Sequence, residues 1–371
     1  MVEKLYYPEK IYIEKGSLDF PSTRNILKNA YNVPFEIIKN PDDLIETLNT
    51  LKDPILEAKK YLLITRQMGE FVKPCPCTTH CIGCNYFIIN LYLNCPLDCS
   101  YCILQNYLSN PFITVHVNLQ RLWDQLDEFI KAQKGRTFRI GTGELSDSLV
   151  LDHLTEYSKD LISYFRMKKN VLFEFKTKTV NIQNILQIEP AENIIIAWSL
   201  NSSKVSKEEE PMAPSVTERI EAAGEVVKKG YRVAFHFDPI IRYPEWEQDY
   251  KQTICFLLEK VNPLKIAWIS LGSLRFPPNL KKTIQERFPH SKITYEELVP
   301  GIDGKLRYFK PLRIELYMKL VKSIRLNKKA EKVPLYFCME TDEIWREVLK
   351  MKPRGKKDVE NYLSLPLVFN K

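Results

Sequence analysis

Six short apolar runs along the middle of the chain constrain its fold more than any other feature of the sequence. They are FIINLYL (87–93), TFRIGT (137–142), VLFEFK (171–176), NIIIAWSL (193–200), RVAFHF (232–237) and KIAWISL (265–271). None alternates cleanly between apolar and polar residues, which is typical of strands covered on both faces of a parallel sheet. The segments between them have the amphipathic period of helices. This alternation predicts an α/β fold, either an open doubly wound sheet or an incomplete barrel.

The two ends of the chain differ from this middle part. The first 85 residues are rich in Lys and Glu and contain helical stretches, so we expect a small N-terminal α-rich lobe over 1–85. The barrel is expected over 86–290. Residues 291–371 predict a C-terminal extension, in which a hairpin that turns near Gly301–Gly304 is followed by a helix.

The composition is that of a globular chain rather than a disordered or membrane protein. Its 371 residues are 44% hydrophobic and 27% charged, and they suffice for one large domain or two ordinary ones. No apolar run is long enough to span a bilayer, and the first residues are too charged for a signal peptide. We therefore expect a cytoplasmic location and no membrane partner. The net charge of +8 permits a polyanionic partner without requiring one.

Seven of the nine cysteines lie between Cys75 and Cys102. Such crowding within a large chain indicates metal binding rather than a disulfide scaffold. Cys95, Cys99 and Cys102 form a C-x3-C-x2-C motif directly after the first apolar run. Three thiolates on one loop can bind three irons of a cubane cluster and leave the fourth iron open to an exogenous ligand. A structural zinc site is normally closed by four protein ligands.

This motif, with Tyr101 just before its third cysteine, resembles that of the radical S-adenosylmethionine (SAM) superfamily. The resemblance implies a partial (β/α)6 barrel that binds a [4Fe-4S] cluster and SAM. It further implies that one electron cleaves the sulfonium, and that the resulting 5′-deoxyadenosyl radical takes a hydrogen atom from the substrate. An electron donor such as a flavodoxin or ferredoxin is then expected as a partner.

Further stretches, over about residues 85–320, resemble the spore photoproduct lyase family. They are CSYCILQNY (99–107), SD (146–147), DHL (152–154), TK (177–178), WSLN (198–201) and RIEAA (219–223) followed by GY. That family reverses a methylene-bridged thymine dimer, so the resemblance implies repair of a thymine photodimer and lesion-containing DNA as a partner. It also implies cofactor contacts for four residues, Ser146, Asp147, Lys178 and Ser199.

The resemblance implies substrate binding by Arg307 and Tyr308, which lie in the expected hairpin. In the family an Arg-Tyr pair at this place lies against the DNA lesion. A guanidinium can bind phosphate and a tyrosine ring can stack on an exposed base. The alternative is a cross-strand pair on the surface. Arg275, followed by Phe276, is a weaker candidate of the same kind.

Two positions depart from the family pattern. Ile103 follows the third cysteine, where the family has a tyrosine, and Glu144 stands where the family has the cysteine that returns hydrogen to the product. A carboxyl O–H bond is much stronger than a thiol S–H bond, so Glu144 is expected to bind the cofactor's ammonium group instead. Cys84 is then the predicted hydrogen donor. If Cys84 binds metal, the donor is Tyr101 acting with the cofactor product, or the reaction is a different one.

The segment CPCTTHCIGC (75–84) contains four further cysteines, Cys75, Cys77, Cys81 and Cys84. They can bind an auxiliary cluster or a zinc ion, with His80 as an extra ligand, or they can include a redox-active thiol. Cys255 and Cys338 lie in apolar stretches and are predicted to be core residues.

Two rival functions follow from these features. One is a radical SAM enzyme of the same fold that acts on another nucleic acid or on a small molecule, which Glu144 and Ile103 favour. The other is a non-catalytic zinc-binding nucleic-acid module, which the 75–84 segment and the positive charge favour.

Overall fold

The computed structural model describes residues 5–48, 50–78 and 80–368, with side chains up to Ser364. The strands are β1 (Lys10–Glu14), β2 (Phe35–Ile38), β3 (Tyr61–Thr65), β4 (Val72–Pro74), β5 (Phe87–Ile89), β6 (Tyr92–Leu93), β7 (Ile113–His116), β8 (Phe138–Thr142), β9 (Val171–Thr177), β10 (Ile194–Ser199), β11 (Arg232–Ile240), β12 (Ile266–Ser273), β13 (Arg275–Phe276), β14 (Leu298–Pro300), β15 (Leu306–Tyr308) and β16 (Leu335–Phe337). The helices are α1 (Pro21–Asn29), α2 (Asp42–Leu48), α3 (Pro54–Ala58), α4 (Leu104–Tyr107), α5 (Leu119–Ala132), α6 (Asp152–Thr155), α7 (Tyr157–Phe165), α8 (Gln183–Leu186), α9 (Ser203–Glu209), α10 (Val216–Lys229), α11 (Trp246–Lys260), α12 (Pro278–Arg287), α13 (Lys310–Arg325), α14 (Asp342–Leu349) and α15 (Lys356–Val368), with 3-10 turns at Pro263–Lys265 and Lys328–Ala330.

An eight-stranded sheet, ordered β16-β12-β11-β10-β9-β8-β5-β4, forms the frame of the molecule. From β5 to β16 every neighbouring pair is parallel, and β4 adds an antiparallel edge. Every residue of β10 and β12 is buried, which explains why these runs show no polar alternation. The parallel strands follow one another across the sheet in chain order, with helices in most of the connections. The predicted partial barrel is confirmed.

The first apolar run does not form one strand. Its first half, β5, lies in the eight-stranded sheet, whereas β6 pairs antiparallel with β7 in a second sheet. The chain thus crosses between two sheets within this run, and both halves are apolar because both sheets contribute to one core. The edge strands β4 and β16 were not predicted because three residues are too few for a recognisable period.

The N-terminal lobe differs from the α-rich expectation. Its centre is a five-stranded sheet, ordered β2-β1-β3-β7-β6, which β7 extends with residues 113–116. Ile11 and Leu62 of this sheet belong to the same buried cluster as the interior of the eight-stranded sheet. The expectation of an α-rich lobe was wrong because short strands are flanked there by charged residues that favour helices. The division of the chain at 85/86 and 290/291 stays a prediction.

The C-terminal hairpin is present as expected. β14 and β15 pair antiparallel, and the chain turns between them at Gly301–Gly304. The helix α13 follows β15. β13 pairs with the other edge of β15 and completes a three-stranded sheet. Within the described part of the chain, no helix combines the length and apolar character needed to cross a membrane.

His116, at the end of β7, predicts that the fold loses stability in acid. Its ring is buried, neither ring nitrogen has a hydrogen-bond partner among the described residues, and burial lowers its pKa to about 4. In the unfolded chain His116 takes up a proton near pH 6.5, but in the folded chain it does so only near pH 4. The stabilising contribution of the neutral His116 ring is therefore complete above pH 6.5 and is lost as the pH falls towards 4. The difference of about 2.5 pH units corresponds to about 3 kcal/mol.

Urea unfolding at pH 7 and at pH 4.5 measures this dependence. We expect the free energy of unfolding to fall less steeply with pH in a His116→Leu variant than in the original chain. An equal fall in both proteins would assign the acid sensitivity to other groups.

Candidate active site

One cavity of about 310 Å³ brings together nine of the predicted site residues. They are Cys95, Cys99, Tyr101, Cys102, Glu144, Ser146, Asp147, Lys178 and Ser199. Apart from the cysteine loop, the cavity lies at the carboxyl ends of five successive parallel strands, β8 to β12, where ligands of such barrels bind.

The cysteine loop is held in shape by two amide side chains. Asn94, in a left-handed conformation with φ 64°, accepts a hydrogen bond of 2.9 Å from the backbone N–H of Cys95. The side-chain amide of Gln105 donates to the carbonyl oxygens of Ser100 (2.8 Å) and Cys102 (3.3 Å). These contacts fix the backbone that carries the three thiols, all of which line the cavity.

Asp98 anchors this loop to the rest of the protein. Its carboxylate forms ion pairs with Lys59 (2.5 Å) and with Arg287 (3.1 Å), and only 8% of the Asp98 side chain is exposed. Asp98 also has a left-handed backbone conformation, with φ 46°. Sequence reasoning missed this group. The one indication in the sequence was an acidic residue between the first and second cysteines of the motif.

Tyr101 belongs to a second buried network. Its hydroxyl donates a hydrogen bond to Glu210, which forms an ion pair of 2.5 Å with Arg219. Arg219 in turn donates to the carbonyl oxygen of Ser199 at 3.1 Å. Burial acts to raise the pKa of Glu210, but Arg219 and Lys178 outweigh it and hold that pKa below its ordinary value. Glu210 is therefore ionised, and it orients the Tyr101 hydroxyl.

Asp147 connects the ends of two neighbouring strands. Its Oδ1 accepts hydrogen bonds from the Thr177 hydroxyl (2.7 Å) and from the backbone N–H of Leu149 (2.9 Å), and its Oδ2 accepts one from the backbone N–H of Lys178 (2.6 Å). Asp147 thus positions the turn after β8 against the start of the loop after β9. Its predicted direct contact with the cofactor stays a prediction.

Three polar groups of the cavity wall are free to bind a ligand. Ser146 Oγ and Glu144 Oε2 are buried and have no hydrogen-bond partner among the described residues. Lys178 has no carboxylate within ion-pair distance in the part of the chain that the structure describes, and its ammonium lies 5.6 Å from the centre of the Tyr101 ring. Burial raises the pKa of Glu144, and Lys176 opposes this increase.

Arg275 and Asp238 form the far wall of the cavity. The guanidinium binds the carboxylate through two hydrogen bonds of 2.9 and 3.0 Å. The backbone of Gly272 approaches so closely that a Cβ atom there would lie 2.6 Å from Asp238 Cγ. Arg275 had been only a weak candidate in the sequence, and Asp238 had not been recognised, because no short motif surrounds it.

Arg307 and Tyr308 do not line this cavity. Tyr308 is fully buried, and its hydroxyl accepts a hydrogen bond of 2.9 Å from the backbone N–H of Arg242. The prediction that its ring stacks on a base is therefore wrong for this conformation, because no face of the ring is exposed. Arg307 is buried as well and is paired with Asp303. Its substrate-binding role stays a prediction, whereas Lys305 of the same hairpin does line the cavity.

The remaining cysteines also differ from expectation. Cys84 lines a neighbouring cavity rather than the one described above, so the structure does not place it as a hydrogen donor to a ligand there. Cys338 lines that same neighbouring cavity, and Cys255 is exposed on α11. The prediction that Cys255 is a core residue was wrong, because Cys255 lies on the exposed side of α11 while Ile254 and Leu257 are buried, whereas Cys338 is half-buried.

An open parallel barrel with a three-cysteine loop, whose thiols face a cavity at the carboxyl ends of the strands, is the architecture of radical SAM enzymes. The family model described as spore photoproduct lyase matches residues 6–300. The chain therefore belongs to the spore photoproduct lyase family, whose members are radical SAM lyases. This membership excludes the non-catalytic zinc module.

Curated relatives and solved structures agree with this family. The spore photoproduct lyase of Bacillus subtilis (strain 168) is 26% identical over 310 residues, which cover 79% of this chain and 85% of that protein. The spore photoproduct lyase of Clostridium acetobutylicum is 24% identical over 337 residues, which cover 90% of this chain and 97% of that protein. A structure titled spore photoproduct lyase complexed with dinucleoside spore photoproduct has the same fold, with a TM-score of 0.77 at 22% identity over 90% of this chain and 100% of that one.

The cavity fits the two cofactors of this family, a [4Fe-4S] cluster and SAM. The three thiols of Cys95, Cys99 and Cys102 border one space, as a cluster with three protein ligands requires. The methionine part of SAM carries an ammonium and a carboxylate. The unpartnered Glu144 Oε2 is suited to the ammonium, and the unpaired ammonium of Lys178 is suited to the carboxylate.

Gly143 provides a test of the turn between β8 and Ser146. It has φ +95°, and a Cβ atom there would lie 2.6 Å from the carbonyl oxygen of Lys176 and 2.8 Å from Ser148 Oγ. Gly143→Ala must shift the turn, so we expect SAM binding to weaken by about tenfold or more, equal to at least about 1.4 kcal/mol.

Calorimetric titration of SAM into the reconstituted protein measures this effect. Gly135→Ala is the matched control, because Gly135 also has positive φ (75°) but nothing within 4 Å of its Cβ position. Equal SAM affinity in the Gly143→Ala variant and the original chain would contradict the role of the turn.

Proposed function

We propose that this protein repairs a thymine photodimer in DNA by radical SAM chemistry. The single observation that carries the proposal is that the cluster ligands and the residues suited to SAM share one cavity in a chain of the spore photoproduct lyase family. Relatives bear the name spore photoproduct lyase, and solved members are titled as complexes with dinucleoside spore photoproduct.

When bound, the cluster and SAM supply a carbon-centred 5′-deoxyadenosyl radical, which takes a hydrogen atom from the lesion. We infer that Cys95, Cys99 and Cys102 hold the cluster. Lys178 pairs with the cofactor's carboxylate, and Glu144 accepts a hydrogen bond from its ammonium. Ser146 and Ser199 add contacts from the ends of β8 and β10, and Asp147 orients the first of these turns.

The lesion then enters the cavity beside Lys305 and Arg275, two cations that suit a polyanionic strand. Arg275 is already paired with Asp238 at 2.9 Å, whereas the ammonium of Lys305 lies 4.0 Å from Asp303, so Lys305 is the less firmly held of the two cations and the better placed to meet a phosphate. Arg307, from the same strand region, provides a second positive charge once its pairing with Asp303 is exchanged for phosphate.

We infer that Tyr101, acting with the cofactor product, returns hydrogen to the product radical: its O–H bond breaks as the new C–H bond forms, and the tyrosyl radical regains a hydrogen atom from 5′-deoxyadenosine. Of the cysteines, only the three predicted cluster ligands are among the described residues that line the cavity, so no spare thiol faces the product. Tyr101 does line the cavity, and its hydroxyl donates a hydrogen bond to Glu210. A reductant such as a flavodoxin or ferredoxin supplies the electron, and we place the enzyme in the cytoplasm with DNA.

The absence of a spare thiol among these lining residues also favours a second candidate function. A radical SAM enzyme of the same fold that acts on another nucleic acid or on a small molecule has no need of a thiol donor. Glu144, at the position of the family's hydrogen-returning cysteine, is the specific residue that supports this candidate.

Incubation of the reduced enzyme with ultraviolet-irradiated DNA and SAM separates the two functions. We expect restored thymine, quantified by chromatography of the digested DNA, with none in a Cys99→Ala control. Cleavage of SAM without any loss of the photodimer would favour the second candidate.

A further inference from the structure

Four of the six cysteines outside the three-cysteine loop lie on the upstream segment that spans Cys75 to Cys84. Cys75, Cys77, Cys81 and Cys84 line one cavity of about 470 Å³, and all four are half-buried. A fifth thiol, Cys338, reaches the same cavity from the residue after β16. Among the residues that line both cavities is Met339, so the two spaces have a common wall.

Backbone contacts hold this segment in a defined shape. The N–H of Cys75 donates to the carbonyl oxygen of Tyr86 (2.8 Å), and the N–H of Ile82 donates to that of Glu340 (2.9 Å). Tight turns within the segment bring the thiols inward. A Cβ atom at Gly83 would lie 3.0 Å from Cys77 Sγ, so the residue next to Cys84 must be small for Cys77 to approach.

Cys338 differs from the other four because it is hydrogen-bonded to a residue that lines the active cavity. Its sulfur accepts a hydrogen bond of 3.3 Å from Arg275, the residue that pairs with Asp238 in the active cavity. The segment presents four thiols, the number that a cluster with four cysteine ligands requires, and the Arg307 guanidinium lies beside one of them, Cys81.

We propose that Cys75, Cys77, Cys81 and Cys84 bind a second iron–sulfur cluster beside the active cavity. In a cubane each thiolate binds a different iron, so the four sulfurs spread around a volume. A zinc ion needs its four sulfurs about 2.3 Å from one point. Among the described residues no three ligand side chains are arranged around a single ion.

The charges around the cavity suit an anionic cluster. Arg354 and Lys356 line it, and Asp342 is the one acidic side chain among its described lining residues. Lys305 lies nearby, with its ammonium 3.5 Å from the Thr78 hydroxyl. A cluster with four thiolates carries net negative charge, which these cations compensate. Cys84 is then a ligand of the second cluster, which agrees with its position outside the active cavity.

Metal and sulfide analysis of protein purified anaerobically tests the proposal without relying on activity. The original chain should contain about eight irons and eight acid-labile sulfides, as two four-iron clusters require. A Cys99→Ala/Cys102→Ala variant should keep about four irons and a brown colour. A Cys77→Ser/Cys81→Ser variant should also keep about four, and SAM should still perturb the electron paramagnetic resonance signal of its reduced cluster.

Cys255→Ala is the matched control, since Cys255 is exposed on α11, and its iron content should not change. Zinc in place of the second set of irons would overturn the proposal, as would a Cys99→Ala/Cys102→Ala variant without metal. A count of about four irons in the original chain would overturn it even if the variants failed to fold.

Discussion

Cys99→Ala is expected to abolish SAM cleavage and photodimer repair while the fold is retained. Cys99 is the most buried of the three thiols in the active cavity, and its loss leaves two ligands for a cluster that needs three. Substitution of groups that only support metal ligands typically lowers metal affinity or activity about 10–100-fold. Loss of a ligand itself should therefore lower the rate of SAM cleavage more than about 100-fold. Formation of 5′-deoxyadenosine by the anaerobically reconstituted protein measures the effect.

Cys255→Ala separates this effect from general loss of a thiol. The Cys255 side chain is exposed on α11 and lines neither cysteine cavity, so this variant should cleave SAM at the original rate. SAM cleavage by Cys99→Ala within tenfold of the control would show that Cys99 does not hold the cluster.

The second large effect is expected for Asp98→Ala. Asp98 and Lys59 are 8% and 7% exposed, and Arg287 contacts the same carboxylate. Removal of the carboxylate leaves the buried ammonium of Lys59 without its partner, which typically costs about 3–5 kcal/mol, whereas Arg287 keeps its ion pair with Asp53. Because Asp98 lies between Cys95 and Cys99, the loop that carries the thiols should loosen as well. Urea unfolding and the rate of cluster loss to a chelator measure the two consequences.

Asp127→Ala is the control for this prediction. Asp127 forms an ion pair of 2.7 Å with Lys168, but 60% of its side chain is exposed, so its removal should cost no more than about 1 kcal/mol. Equal free energies of unfolding for the two variants would mean that the buried pairing of Asp98 does not stabilise the loop.

The sequence predicts those parts of the site that depend on local order along the chain. Cys95, Cys99 and Cys102 lie on one loop, and Lys178 and Ser199 lie at the ends of recognisable strands. Parallel strands present their carboxyl ends at one edge, so residues at these ends meet in one cavity. The strand pattern and its expected order are therefore enough to bring them together.

The groups that support the site cannot be predicted in this way. Arg287 binds Asp98 across 189 positions of the chain, and no local pattern connects them. Tyr101 and Glu210 are paired across 109 positions. Such partners depend on how helices pack onto the sheet, which hydrophobic period alone does not specify.

Exposure is the property that local sequence predicts least well here. Tyr308 lies in a charged hairpin that seemed suited to the surface, yet its hydroxyl meets the backbone of Arg242, 66 positions away, and its ring is buried. β13 covers the other edge of its hairpin, and this two-residue strand is too short to recognise beforehand. The N-terminal sheet was missed for the same reason, since its strands are short and are flanked by charged residues.

Turnover of dinucleoside spore photoproduct tests the central claim most directly. The protein, reduced anaerobically and supplied with SAM, should convert this compound to the unlinked thymidine dinucleotide, and a Cys99→Ala variant should not. Liquid chromatography with mass spectrometry quantifies the product together with 5′-deoxyadenosine. Formation of 5′-deoxyadenosine while the dinucleoside stays intact would contradict the account and leave a radical SAM enzyme with a different substrate.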